Sequence, residues 1–130
     1  MVFRQSKGSQ RPQTTKQAGD AAESLALRHL QRAGLVLLDR NYRTPGRGGG
    51  EIDLVMRAPD GTCVLVEVRL RQDDRHGGAA SSIGWAKQRR VIFAARHYLT
   101  RFAVPPACRF DVVTIEAGQI EWLAGAFDAS

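Results

Sequence analysis

The feature that most constrains this chain is a pair of apolar runs, residues 50–57 and 62–71, separated by Ala58-Pro59-Asp60-Gly61. Proline presets a turn dihedral, aspartate bonds to nearby backbone, and glycine accepts positive φ, so this spacing predicts a β-hairpin. Side chains alternate faces along a strand. Glu51, Asp53, Val55 and Arg57 therefore share one face of the first run, opposite Ile52, Leu54 and Met56. In the second run Leu65, Glu67, Arg69 and Arg71 lie together, opposite Val64, Val66, Val68 and Leu70. If the two wholly apolar faces both point into the core, Asp53 and Glu67 fall on the same side, nearly opposite each other.

Two facing carboxylates repel, so such a pair needs a compensating cation. The second run is apolar around Glu67, which predicts a central strand and a partly dry environment. A buried, unpaired charge costs several kcal/mol in real proteins. Two readings stay open at this point. Arg69 could close an Asp–Arg–Glu salt network on the exposed side of an edge hairpin. Alternatively, hard carboxylate oxygens at this density suit Mg²⁺ or Mn²⁺ with water completing the shell.

Around the hairpin the pattern is α-β-β-β-α-β-β. Residues 1–15 are polar, basic and poor in apolar groups, and are expected to form a flexible arm. A helix is predicted from near Thr15, with Thr14 or Thr15 as its cap. Its apolar positions are Ala18, Ala22, Leu25, Ala26 and Leu30, and Gly34 supplies its stop. Residues 35–38 read as a short strand, 44–50 as a glycine-rich loop, and 72–80 as a second polar loop. A second helix is expected from Ser82 to about Arg101, with Trp85, Val91, Ala94, Ala95, Tyr98 and Leu99 as its buried stripe. Strands at 109–115 and 120–123 follow, joined by a turn at 116–119. The expectation is one α/β domain over residues 16–127.

Charge suggests a partner. The formal net charge is +6, and only Lys7, Lys16 and Lys87 of the 19 basic residues are lysines. Arginine grips phosphate with a planar fork, so an Arg-rich chain points to nucleic acid, although codon bias or plain solubility would give the same composition. No stretch approaches the roughly 20 apolar residues of a membrane span, and the N-terminal segment lacks the apolar centre of a signal peptide. The expectation is a cytoplasmic protein without membrane contact. Cys63 and Cys108 lie in apolar runs and read as small core residues, not as a disulfide scaffold or a zinc site.

The string Gly50-Glu51-Ile52-Asp53-Leu54-Val55, followed by Val66-Glu67-Val68-Arg69-Leu70-Arg71, resembles the bacterial YraN family, which is similar to the PD-(D/E)xK nucleases and, within them, to Holliday-junction resolvases. Gly19, Glu23, Ala26 and Leu30 fit its first helix, Asn41-Tyr42-Arg43 the segment after the first strand, and Lys87 with Arg90 its second helix. Residues 109–113 fit its late strand and Ala126-Phe127 its end. The resemblance implies a restriction-endonuclease-like mixed sheet of four or five strands flanked by two helices. It implies Glu23, Asp53 and Glu67 as ligands of Mg²⁺ or Mn²⁺, catalysis by Asp53, Glu67 and the residue at position 69, and hydrolysis of phosphodiesters in DNA. A homodimer is the assembly suggested by analogy with resolvases. Position 69 departs from the pattern, being Arg where the family motif has Lys. Arginine can steady charge but cannot act as a base. The alternative is therefore a nucleic-acid-binding protein that kept the fold and lost the chemistry.

Other residues carry weaker signals. Glu51 could assist the metal or point to solvent. Arg47, Arg71, Lys87 and Arg90 are the candidate phosphate contacts, although Arg71 could equally pair with Asp111, and Lys87, Arg89 and Arg90 could be a solvated face. The loop 46–50 lacks the third glycine of GxGxxG and leads into a strand, which excludes a dinucleotide fold. His29, His76 and His97 show no ligand spacing. Trp85 and Trp122 read as core or interface anchors before base-stacking platforms.

Overall fold

In a computed structural model the chain is described over residues 14–71 and 83–129; the proposed arm, the 72–80 loop and His76 lie outside these residues, Thr14 and Thr15 of the arm excepted. Helix α1 spans Thr15–Arg32, and strands β1, β2 and β3 span Val36–Arg43, Glu51–Arg57 and Cys63–Arg71. Helix α2 spans Trp85–Leu99, and β4 (Cys108–Glu116) and β5 (Gln119–Phe127) complete the expected order. The five strands form one mixed sheet in sequential order, antiparallel throughout except for the parallel β3–β4 pair, which α2 connects. Among the described residues no helix is long and apolar enough to cross a membrane.

Local signals fix the elements. The Thr14 hydroxyl accepts from the Gln17 N–H at 3.0 Å while the Gln17 side chain accepts from the Thr14 N–H at 2.9 Å, a reciprocal cap that starts α1. Gly34 adopts a φ of 96° and turns the chain after the helix. The turn 58–61 closes as expected, with Asp60 accepting from the Thr62 N–H at 3.0 Å. β1 runs to Arg43 and β5 to Phe127, well past their apolar runs, because pairing with β2 and β4 supplies their backbone bonds. In both edge strands the apolar run is shorter than the hydrogen-bonded strand.

Two cores lie on opposite faces of the sheet. On one, Ala22, Ala26 and Leu30 of α1 cover Leu54, Met56, Val64, Val66, Val113 and Ile115. On the other, Val91, Ala94, Ala95 and Tyr98 of α2 cover Ile52, Val55, Cys63, Leu65 and Phe110. The face bearing the acids is thus also a core face, and the hairpin occupies the second and third of five strands, not an edge. Ile52 departs from strict alternation and joins the α2 cluster, just where β2 stops pairing with β3. Four expected core residues lie outside: Leu25, Leu70 and Cys108 are exposed, and Trp85 is 72% exposed because α2 turns its first residue away from the sheet.

Two buried anchors hold this arrangement. Asp111, fully buried, accepts from Arg109, the Trp122 indole and the Gly125 N–H at 2.9–3.0 Å, so its charge is fully compensated and joins β4 to β5. Trp122 is accordingly an anchor, as expected. Gly50 lies against α2, where an added Cβ would stand 1.9 Å from the Arg90 carbonyl oxygen. Because that atom is helix backbone, Gly50→Ala is expected to cost about 1–3 kcal/mol by overpacking. Urea denaturation measures it; an unchanged midpoint would show that β2 and α2 can move apart freely.

Candidate metal and phosphate site

The ladder between β2 and β3 ends at Leu54↔Val66. Beyond it the next backbone donor of β3 on that side, the Val68 N–H, bonds at 2.8 Å to Asp53 Oδ2 instead of to a carbonyl. The sheet forks there, and the Asp53 side chain fills the fork. Glu67 stands beside it, with its carboxyl in hydrogen-bonding reach of Asp53 and 2% exposed. The two acids singled out from the sequence are therefore brought together, on a central pair of strands.

The pair is electrostatically incomplete. Burial, then repulsion from Asp53, pushes the Glu67 carboxyl up to about 8. Asp53 is also raised, chiefly by burial, against the Val68 bond that favours its charge. Glu67 Oε1 is buried and, among the described residues, receives no hydrogen bond. Two ionised carboxylates cannot bond to each other, so the pair must hold a proton or a cation. Its hard oxygen donors and the orphaned Oε1 fit a divalent metal.

Cations approach from α2 and β3. Lys87 Nζ lies 3.4 Å from Glu67 Oε2 and 3.3 Å from Glu51 Oε2, with its side chain only 22% exposed. Arg69, at the motif's lysine position, reaches Glu67 only at 3.9 Å and is 45% exposed. The ammonium nearest the acids thus comes from the helix. Sequence reasoning placed Lys87 among outward phosphate contacts; the usable signal was a lone lysine in an otherwise all-arginine set of basic residues beyond position 16.

Glu23 is drawn a different way. Arg40 Nε stands 3.4 Å from its Oε1, while Arg40 also bonds to the Asp20 carbonyl and the Ser24 hydroxyl at 3.1 Å, tying β1 to α1. Glu23 still feels Asp53: burial first, then that carboxylate, raise its pKa. Among the described residues no three His, Cys, Asp or Glu side chains are gathered closely enough to hold a metal. Glu23 is adjacent to the pair and not assembled with it.

Glu51 is pinned by Lys87 and, at 3.9 Å, by Arg90, so it borders the pocket instead of facing solvent alone. Beside it a cavity of about 370 Å³ is lined by Arg43, Thr44, Glu51, Arg90 and the glycine loop. The Thr44 hydroxyl accepts from the Gly50 N–H at 2.8 Å and closes that loop, on which Arg47 is exposed. Arg71 sits opposite Glu116 in the ladder, whereas Asp111 sits opposite Val66, which separates the pair that could have bridged.

Residues 22–115 match the model of the uncharacterised protein family UPF0102. The chain belongs to this family, the YraN family. It is 73% identical over 116 residues to a UPF0102 protein of Albidiferax ferrireducens, covering 89% of this chain and 91% of the relative. It is 61% identical over 123 residues to one of Acidovorax sp. strain JS42, covering 95% and 93%. One of Cupriavidus taiwanensis is 57% identical over 129 residues, covering 98% and 95%. The crystal structure of SSO0001 is 16% identical and overlays with a TM-score of 0.43, covering 88% of this chain and 54% of that one, too loosely to bear on function.

The raised acids give this YraN-family protein a pH signature. With metal chelated, folded Glu67 keeps its proton to about pH 8, whereas the unfolded chain loses it near 4.5. The folded state binds more protons in that window, so stability falls as pH rises through it. The melting temperature in chelator is expected to drop between about pH 5 and pH 8, and Glu67→Gln to flatten the slope. A wild-type profile that rises or stays level there would refute the buried-proton account.

Proposed function

We propose that this protein is a metal-dependent phosphodiesterase of the endonuclease type acting on nucleic acid, with DNA as the first candidate. The observation that carries this reading is the buried Asp53–Glu67 pair at the sheet fork, with one oxygen left without a donor among the described residues. Asp53 and Glu67 would hold Mg²⁺ or Mn²⁺, and Glu23 from α1 and Glu51 from β2 are further acids that interact with Asp53. Such an ion supplies Lewis acidity toward a phosphoryl oxygen and a more acidic bound water.

The protein's own residues supply the rest. Hydrolysis adds water across a P–O bond, so a proton must leave the water and charge on the phosphoryl oxygens must be steadied. Lys87 is a partly dry cation next to both Glu67 and Glu51, which suits charge stabilisation there. Arg69 then needs to serve only as a charge at the pocket's mouth. Arg47, Arg71 and Arg90 are the proposed grips on flanking phosphates, which would make affinity fall steeply with salt. A second reading, a binding protein without hydrolysis, is favoured by Arg69 standing where the motif has lysine.

Incubation with plasmid, single-stranded and junction DNA in Mg²⁺ or Mn²⁺ tests the first reading. Cleavage is expected, with Asp53→Ala and Glu67→Ala abolishing it and Lys87→Ala slowing it by about 10²–10³-fold, as for loss of an electrostatic stabiliser. Arg69→Lys should change the rate little. Cleavage surviving both acid substitutions would mark a contaminant. Salt-sensitive binding without cleavage would favour the second reading, most clearly if Arg69→Lys then conferred activity.

A further inference from the structure

Helix α2 has a face that the pocket does not use. Val91, Ala94, Ala95 and Tyr98 are buried toward the sheet, so helical periodicity puts Trp85, Arg89, Phe93 and Arg96 on the outer side. Trp85 is 72% exposed and Phe93 53% exposed. The Arg89 guanidinium carbon lies 5.0 Å from the Trp85 ring centroid, a cation–π contact made in open solvent. These side chains line a cavity of about 160 Å³ to which, among the described residues, Asp128 contributes one acid.

Large aromatics interleaved with guanidiniums narrow the choice of occupant. Residues 85–99 contain no acid and include Lys87, Arg89, Arg90 and Arg96. A second copy of this face would set guanidiniums against guanidiniums, and an apolar peptide would strip Arg89 and Arg96 of water without compensation. A polyanion with flat π-faces satisfies both kinds of side chain. In a duplex the bases cover one another, so only unpaired ones can stack on side chains. Trp85 and Phe93 are about 12 Å apart along the helix axis, the span of about three stacked nucleotides.

We propose that the outer face of α2 is a stacking platform for unpaired nucleotides, with Trp85 and Phe93 taking bases and Arg89 and Arg96 taking phosphates. This rests on the nucleic-acid reading above and narrows the substrate to one with a single-stranded segment beside the pocket. Arg90, on the flank between this face and Glu51, continues the positive path toward the acids.

The test measures fluorescence anisotropy of short labelled DNA strands, RNA strands and blunt DNA duplexes with the full chain. The double substitution Trp85→Ala, Phe93→Ala is expected to weaken single-strand binding about tenfold or more and duplex binding less than twofold. Trp85→Phe, which keeps a ring, should retain most of the affinity. Selective loss on either DNA or RNA strands supports the platform and tells the two apart. Equal weakening on strands and duplex, or unchanged strand binding, overturns it while leaving the nucleic-acid reading intact. Binding to none of the probes removes both. A wild-type dimer that the double substitution converts to monomers would overturn the platform in favour of self-association.

Discussion

The bond from the Val68 N–H to Asp53 Oδ2 is the contact on which the rest of the site depends. A β-sheet satisfies its backbone with backbone, and every unpaired N–H inside it carries a penalty of about 1–3 kcal/mol. Here β2 leaves β3 after Leu54, and a side chain meets that demand. The substitution of carboxylate for carbonyl brings a full negative charge to the sheet's centre, next to Glu67. An acid held by the fold's own backbone hydrogen bonding does not wander with solvent or side-chain entropy. The site is therefore organised before any ligand arrives, and the second acid holds its proton as a result.

Only a doubly covered sheet could impose that charge. Had the hairpin been an edge with one wet face, Glu67 would have relaxed into water and kept an ordinary pKa. Instead α1 and α2 close opposite faces, Val66 and Leu65 are fully buried on either side of the strand, and Glu67 continues the α2 face. Gly50 lets the start of β2 press against α2 closely enough for Lys87 to reach over the acids. The salt-network reading survives in part, since Lys87, Arg69 and Arg90 do contact the acids. It cannot be complete, because Glu67 Oε1 receives no hydrogen bond from any of them.

Much of this was legible in the chain itself. Period-two alternation on either side of Pro-Asp-Gly predicted the hairpin and the shared side of Asp53 and Glu67, and capping residues predicted α1. What alternation could not give was long-range. It marked Ile52 for the α1 face, but the strand parts from its neighbour just there. It marked Trp85 as core, because a helix start rich in apolar residues looks the same whichever way the helix is turned. It also left Cys108 inside, although the residue begins β4 at an exposed end. Each miss concerns orientation set by tertiary packing, which a periodic pattern does not encode.

Moving the cation from the strand to the helix changes how dry it can be. Position 69 lies on the same strand face as Glu67, so a long side chain there points along the strand toward solvent, and the 3.9 Å approach of a 45%-exposed arginine reflects this. A lysine on α2 comes down onto the acids from the covering layer and is drier for it. The same helix then has no room to bury its opposite side, because the sheet already occupies Val91, Ala94 and Tyr98. Trp85 and Phe93 are therefore left exposed, with the Arg89 guanidinium over the Trp85 ring. One helix thus delivers a charge inward and a row of rings outward, and a substrate with both a backbone phosphate and a free base would engage its two faces together.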